Sequence, residues 1–405
     1  MTHDMPLITT MAVGLVMALV LGMSAHRLRL PLIAGYLAAG VIIGPFTPGF
    51  VADQDIAAQL AEMGVILLMF GVGLHFSLAE LLAVKTIAIP GALGQIAVAT
   101  LAGSALGWLL GWGIGGGVIF GLALSVASTV VLLRALQEHN LVETPQGRMA
   151  VGWLIVEDLV MVLALVMIPP LAGLLGGTAQ PVDADTAEVA RLGLGVIGAT
   201  VAITVAKVAA FVTVMLVVGR RVIPWSLEYI AGTGQRELFR LAVLAIGLGV
   251  AFAASSIFGV SFALGAFFAG MVMAGSTLSA QAMKDMLPFR DAFAVLFFVS
   301  VGMLFNPSIL WEQPFSVMVT VLIILGVKSL AAFAIVRAFS HTRPVALTIA
   351  AALAQIGEFS FILIVMAVDL AIVPPQARDL VVAGALVSIL LNPLLFRLAN
   401  RPVPA

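Results

Sequence analysis

Apolar runs follow one another along almost the whole chain, near residues 5–24, 31–46, 57–74, 87–110, 116–135, 149–172, 192–218, 237–255, 258–275, 289–305, 315–338, 345–368 and 378–398. Such a run crosses the roughly 30 Å hydrocarbon core of a bilayer as a helix, because lipid offers no partner for exposed backbone amides. The reading is an all-α polytopic membrane protein of about thirteen spanning helices. The balance of residues agrees. Only 10% are charged and 62% are hydrophobic, whereas a soluble domain is charged at roughly a quarter of its positions. Nineteen basic against twenty acidic residues leave a net charge of −1, which offers nucleic acid no basic surface. Cysteine is absent, which excludes disulfides, thiolate metal sites and cysteine nucleophiles. The first run has only His3 and Asp4 ahead of it, not the basic start of a signal peptide, so it reads as the first span.

The basic residues orient the chain. With the N-terminus outside and the C-terminus in the cytoplasm, the inner ends hold Arg27, Arg29, Lys85, Arg134, Arg148, Arg220, Arg221, Arg236, Arg240, Lys284, Arg290, Arg337, Arg343, Arg397 and Arg401. The outer side holds only Arg191 and Arg378, while Lys207 and Lys328 fall inside spans. This is the positive-inside pattern of a multi-pass protein, and it fits an odd number of spans. The chain closes on Arg401-Pro-Val-Pro-Ala soon after the last run, so no soluble domain is expected within it.

Two stretches match each other. Leu30-Pro-Leu-Ile-Ala-Gly-Tyr-Leu-Ala-Ala-Gly against Val260-Ser-Phe-Ala-Leu-Gly-Ala-Phe-Phe-Ala-Gly pairs Gly35 with Gly265, Ala39 with Ala269 and Gly40 with Gly270, an offset of 230 residues. In the next run of each half, Glu62 falls on Asp291 and Gly73 on Gly302 at an offset of 229, so the register survives a loop. With 40 glycines in 405 residues the glycines alone would carry little, and the acid pair strengthens them. Matched runs lie seven spans apart, so the second copy crosses the membrane in the opposite sense. Inverted repeats, here approximately 31–172 and 258–398, mark secondary transporters, whose sites lie near the midplane and often on interrupted helices. The offset pairs Ser125-Val-Ala-Ser-Thr129 with Ala354-Gln-Ile-Gly-Glu358. On one reading both helices are intact and the hydroxyls bond to the preceding turn. On the other, which Glu358 favours, both are interrupted and offer carbonyls and half-helix dipoles to an ion.

Chemistry centres on Glu157 and Asp158, set in Gly152-Trp-Leu-Ile-Val-Glu-Asp-Leu-Val-Met, a segment otherwise as apolar as lipid. An unpaired acid at the middle of a membrane helix costs about 3 kcal/mol on insertion scales, so such a side chain usually faces a partner, a cavity or an ion path. Helix neighbours point about 100° apart, so one of the two should dominate, and Asp158 is the nearer to the centre of its run. A carboxylate in a partly dry cavity can hold a proton or a small cation, and competition at one alternating-access group suffices for exchange. The alternative is a structural acid paired with a buried base. Lys328, the only base at the centre of its run, is the natural counter-charge for Asp158, with snorkelling as its alternative role. Glu358 suits either compensation of helix N-termini or pairing with Lys328. Lys207 reads as a snorkelling or packing residue, Glu62 and Asp291 as gate or helix-end residues, and Pro169-Pro170 as a bend or end of the sixth helix. A His-Glu-x-x-His pattern, a Walker loop and a G-x-S-x-G elbow are all missing, so neither a catalytic residue nor a resident cofactor is expected.

Several segments together resemble one family: Leu60-Ala-Glu-Met-Gly-Val-Ile-Leu-Leu-Met-Phe-Gly-Val-Gly-Leu, Ala127-Ser-Thr-Val-Val, Gly152-Trp-Leu-Ile-Val-Glu-Asp-Leu, Phe262-Ala-Leu-Gly-Ala-Phe-Phe-Ala-Gly, Leu296-Phe-Phe-Val-Ser-Val-Gly-Met and Ala354-Gln-Ile-Gly-Glu-Phe. They are similar to the monovalent cation:proton antiporter-2 family, in its Kef-type potassium/proton branch and YbaL-like subgroup. The resemblance implies an NhaA-like, inverted-repeat fold with two interrupted crossing helices, working as a homodimer in which a mobile core moves against a dimerisation domain. It implies Asp158 as the ion-binding aspartate, Ser128 and Thr129 at the first helix break, Glu358 at the second, and Lys328 as the core base. Glu157 fills a position that holds Gln, Asn or Asp in other branches. Kef-type members carry a cytoplasmic nucleotide-binding regulatory domain, which is not expected within these 405 residues. The loop Ala280-Gln-Ala-Met-Lys-Asp-Met-Leu-Pro-Phe departs from the acidic loop of glutathione-gated members, so gating by glutathione conjugates is not expected.

The function read from all this is secondary active exchange of K+ for protons in a bacterial inner membrane, with Na+ the nearest alternative ion. Asp158 would bind the metal cation or the proton, supported by Glu157, Ser128 and Thr129, with Lys328 and Glu358 compensating charge. Expected partners are the ions, membrane lipid and a second copy. A potassium channel would need a carbonyl-ring filter, and no T-V-G-Y-G-like segment is present. A sodium-coupled solute symporter could share the repeats, and would show itself by solute-dependent Na+ uptake without proton movement.

Overall fold

The computed structural model describes residues 6–28, 30–75, 78–142, 144–178 and 195–399. Arg29, Arg191 and Arg401, used above to orient the chain, lie outside the described residues, as does the start of the seventh run. In chain order the helices are α1 (Pro6–Arg27), α2 (Leu32–Ile43), α3 (Gln54–His75), α4 (Leu78–Leu109), α5 (Gly113–Ser125), α6 (Thr129–Glu138), α7 (Pro145–Leu171), α8 (Gly195–Val214), α9 (Arg220–Ala231), α10 (Arg236–Phe258), α11 (Phe262–Ala274), α12 (Ser279–Met303), α13 (Ile309–Glu312), α14 (Pro314–Leu322), α15 (Lys328–Ala338), α16 (Arg343–Ala352), α17 (Glu358–Asp369) and α18 (Pro375–Ala399). A π-helical turn at Met215–Gly219 runs α8 into α9, and another at Ile323–Val327 runs α14 into α15.

The expectation of about thirteen spanning helices does not hold. Among the described residues nine helices are long and apolar enough to cross a membrane. The other four apolar runs yield the short helices α2, α5, α11 and α16, of 12, 13, 13 and 10 residues. At 1.5 Å per residue these reach only about 15–20 Å, well short of the hydrocarbon thickness. The miscount has a physical cause: hydropathy registers apolar length but not where the helix stops. The run 116–135 divides at Val126–Ser128, where Val126 turns extended and Ser128, accepting from Val131 N at 3.3 Å, caps a new helix. The run 345–368 divides between Leu353 and Gly357, and Gly357 is extended (φ −115°, ψ −172°) just ahead of α17. A left-handed Gly259 (φ 63°) ends α10, and Ser261 then caps α11 by accepting from Leu264 N at 3.3 Å. Pro169 and Pro170, read as a bend or an end, lie in the last turn of α7, which stops at Leu171.

Backbones cross closely where side chains are missing. A Cβ on Gly40 of α2 would collide with Val299 O and stand 2.8 Å from Gly302 Cα in α12. A Cβ on Gly270 of α11 would collide with Phe70 O and stand 3.1 Å from the carbonyl carbon of Gly73 in α3. Thus the glycines matched by sequence meet in exchanged pairs, Gly40 with Gly302 and Gly270 with Gly73. A separate apolar cluster that includes Trp153 of α7, Leu132 of α6 and Ala332 of α15 takes in Ala127 and Leu353 at the two interruptions. It fixes the polar groups described next.

Candidate functional site

The two interruptions lie against each other. A Cβ on Gly357 would stand 2.6 Å from Ser128 Cα, so only glycine lets the second break approach the first. Gly357 N donates to Val126 O (3.2 Å), and Ser128 N donates to Gln355 Oε1 (2.8 Å). The amide of Gln355 also returns a bond from Nε2 to Ser128 O (3.1 Å), clasping the first break from both sides. Ser128 Oγ donates to Glu358 Oε2 (3.3 Å). Two half-helices, α5 and α16, therefore end here with their carbonyls, and two others, α6 and α17, begin here with their amides. Each carbonyl end carries roughly half a negative charge and each amide end roughly half a positive one.

Side chains from two flanking helices, α7 and α15, answer those dipoles. Asp158, 7% exposed, accepts from Thr129 Oγ1 through Oδ2 (3.2 Å), while its Oδ1 has no hydrogen-bond partner. Glu157 is fully buried, accepts from Ala127 N through Oε2 (2.8 Å), and likewise has Oε1 without a partner. Lys328, at the close of the π-helical turn and fully buried, donates from Nζ to Gln355 O (2.7 Å). The carboxylate on which its charge acts is Glu157, and those acting on Asp158 are Glu358 and Glu157. The sequence reading set Lys328 against Asp158; in the structure its hydrogen bond goes to Gln355 O, and the acid that acts on its charge is Glu157. The two acids diverge as helix geometry requires, Glu157 into the packed interior and Asp158 towards open space.

That space is a cavity of about 2050 Å³. Its floor includes Thr129, Asp158 and Glu358, and its walls reach the end of the bundle that carries Arg220, Arg290 and Arg397. Glu157, Ser128 and Lys328 do not line it. Arg290 hydrogen-bonds Asp291 (Nη2 to Oδ1, 2.8 Å) on the cavity wall. Asp291 therefore faces the cavity, while its sequence match Glu62 is exposed on α3 away from it. Among the described residues no three carboxylates or imidazoles cluster as a resident metal site. A visiting cation would be met by a mixed oxygen set, Asp158 and Glu358 carboxylates with the Thr129 hydroxyl, which suits a hard ion. The unpartnered Oδ1 of Asp158, itself covered, can equally take a proton.

The sequence profile described as "Sodium/hydrogen exchanger, transmembrane" matches residues 14–398. YbaL of Escherichia coli (strain K12), whose name assigns it provisionally to cation/proton antiport, is 58% identical over 401 residues, covering 99% of this chain and 70% of its own length. The chain is a member of the cation/proton antiporter-2 family. It is a secondary active antiporter, not an enzyme, and is closely related to the Kef-type branch. K(+) efflux antiporter 4 of Arabidopsis thaliana is 32% identical over 397 residues, 98% of this chain, and the chain spans 64% of that plant protein's length. In fold, the antiporter matches the sodium proton antiporter MjNhaP1 of Methanocaldococcus jannaschii with a TM-score of 0.65 at 16% identity, over 98% of both chains.

Sequence reasoning missed three buried amides in the antiporter. Gln355 stood inside a quoted motif, but its clasp on Ser128 was not foreseen. Gln95 of α4, fully buried, donates to Ser125 O (2.8 Å) and accepts from Trp153 Nε1 (3.1 Å). Asn392 of α18, 1% exposed, donates to Ala351 O (2.8 Å) near the carbonyl end of α16. A usable signal was present, since an amide amid lipid-like residues needs a partner as an acid does.

Proposed function

We propose that the antiporter exchanges K+ for protons at Asp158 by alternating access. The observation that carries this is the covered, unpartnered Oδ1 of Asp158, a residue that lines the cavity. Cation and proton compete for one carboxylate, and Thr129 and Glu358 add oxygens when the cation is present. Glu157 and Lys328 form a second, covered pair that balances charge behind the site. Support for K+ is the name of the Arabidopsis relatives, K(+) efflux antiporters 4 and 6, at 32% and 31% identity. Na+ stays the second reading because the matching family is described as a sodium/hydrogen exchanger.

Finer parts of the proposal follow from the same pattern. The two halves, approximately 31–172 and 258–398, are inverted repeats, which the exchanged glycine pairs support. The cavity faces the cytoplasm of a bacterial inner membrane, with the N-terminus outside, because the arginines at its mouth belong to the positive end of the chain. A homodimer and a nucleotide-binding regulatory partner, implied by the resemblance, complete the reading. The test is proton flux in proteoliposomes of the purified chain with K+ or Na+ added in turn. K+-driven proton release supports the proposal, and solute-dependent Na+ uptake without proton movement would replace it.

A further inference from the structure

The two carbonyl ends at the crossing are held by different chemistry. At one, the buried ammonium of Lys328 donates to Gln355 O (2.7 Å). At the other, the buried amide of Gln95 donates to Ser125 O (2.8 Å). Ser125 and Gln355 stand at the same offset of 230 residues that separates the hydrogen-bonded Ser128 and Glu358. The donors come from corresponding places, α4 packed on α5 and α15 packed on α16. A carbonyl end is half-negative in both cases, yet only one is neutralised by a resident cation.

The geometry points to Gln95 as a positioning residue whose neutrality keeps the first crossing free of a second resident cation, leaving that negative potential to the transported ion. Its placement is over-determined. Trp153 Nε1 fixes the Gln95 Oε1 atom (3.1 Å), so the amide nitrogen is turned to Ser125 O. Gly91, one turn before Gln95, makes room for the Trp153 ring: a Cβ there would stand 2.6 Å from Cη2 of the indole. Glu157 holds Ala127 N on the other side of the same break (2.8 Å). Gln95, set by Trp153, and Glu157 thus hold residues 125 and 127 from two sides, and the amide is the neutral member. A lysine at position 95 would keep the bond to Ser125 O and add a charge. A glutamate would keep the acceptor for Trp153 and add the opposite charge.

This inference rests on the reading of Asp158 as the ion site, and the experiment separates the two. Cation-driven proton release is measured in proteoliposomes for wild type, Gln95→Lys, Gln95→Glu and Asp158→Asn, with the KM for K+ and the maximal rate fitted separately. A buried unit charge near the site is worth at least one factor of ten in cation affinity, so Gln95→Lys should raise KM about tenfold and Gln95→Glu should lower it. A purely structural Gln95 predicts equal KM values and a common loss of maximal rate in both variants, and that result overturns the inference. Should only one variant elute as folded protein on size exclusion, the direction of its KM shift decides. An inactive Asp158→Asn beside unchanged KM values in the Gln95 variants sinks this inference alone. An active Asp158→Asn sinks the ion-site reading.

Discussion

Lys328→Met removes the ammonium that bonds Gln355 O and whose charge acts on Glu157, and the consequence can be worked from the surroundings. Both residues are fully buried, and Glu157 Oε1 already lacks a partner, so the variant leaves a carboxylate without its counter-charge and a carbonyl without its donor. Breaking a buried pair from one side costs about 3–5 kcal/mol, and the orphaned carbonyl adds about 1–3 kcal/mol. Neutralising the acid should return the Coulombic share of the first part and none of the second. Glu157→Gln in the Lys328→Met background is therefore expected to recover about 2–3 kcal/mol, the size of the interaction between two unit charges about 6 Å apart at an effective dielectric constant of ~20. Asp158→Asn in the same background should recover much less, because the Lys328 charge acts on Glu157 and Asp158 opens on the cavity instead. The assay is a double-mutant cycle on unfolding free energy by denaturant titration in detergent micelles. Rescue by Asp158→Asn and not by Glu157→Gln would refute the pairing drawn from the structure and restore the one read from sequence.

Three further outcomes follow from the same geometry. Thr129→Val deletes the bond to Asp158 Oδ2 (3.2 Å) and should weaken apparent cation affinity about fivefold, the equivalent of about 1 kcal/mol, while Thr129→Ser should stay near wild type in the flux assay. Because the chain has no cysteine, Ile155→Cys places a single thiol on the cavity wall, and an impermeant maleimide should label it from the arginine-rich face only. Gly40→Ala forces a methyl into Val299 O at the α2–α12 crossing and should destabilise the protein by about 1–3 kcal/mol, read as a lowered denaturant midpoint.

How much of this was legible beforehand varies with the kind of signal. Apolar runs gave the membrane class and the approximate places of the helices, because exclusion of backbone from lipid is a property of composition. The length of each helix was hidden. Ser128 and Gly357 open new helices through a cap and an extended backbone, signals one residue long inside runs of twenty or more, so two of the four runs that yield short helices were counted as unbroken spans. Glu157 and Asp158 were conspicuous as charges in lipid-like surroundings, and their divergence followed from helix geometry. Which of them meets Lys328 was not legible, because that depends on how α7 and α15 are rotated about their axes, and each helix is apolar nearly all round. Gln95 and Gln355 were overlooked for a related reason: an uncharged amide attracts attention only when its partner, a carbonyl at a helix end, is already known to be unpaired.

The most direct test is cation-driven proton release by Asp158→Asn in proteoliposomes at matched protein density, with folding checked by size exclusion. An amide cannot exchange a proton for an alkali cation, so the signal should vanish with both K+ and Na+ while the protein remains folded. Wild-type release from that variant would contradict the account, whatever the other substitutions show.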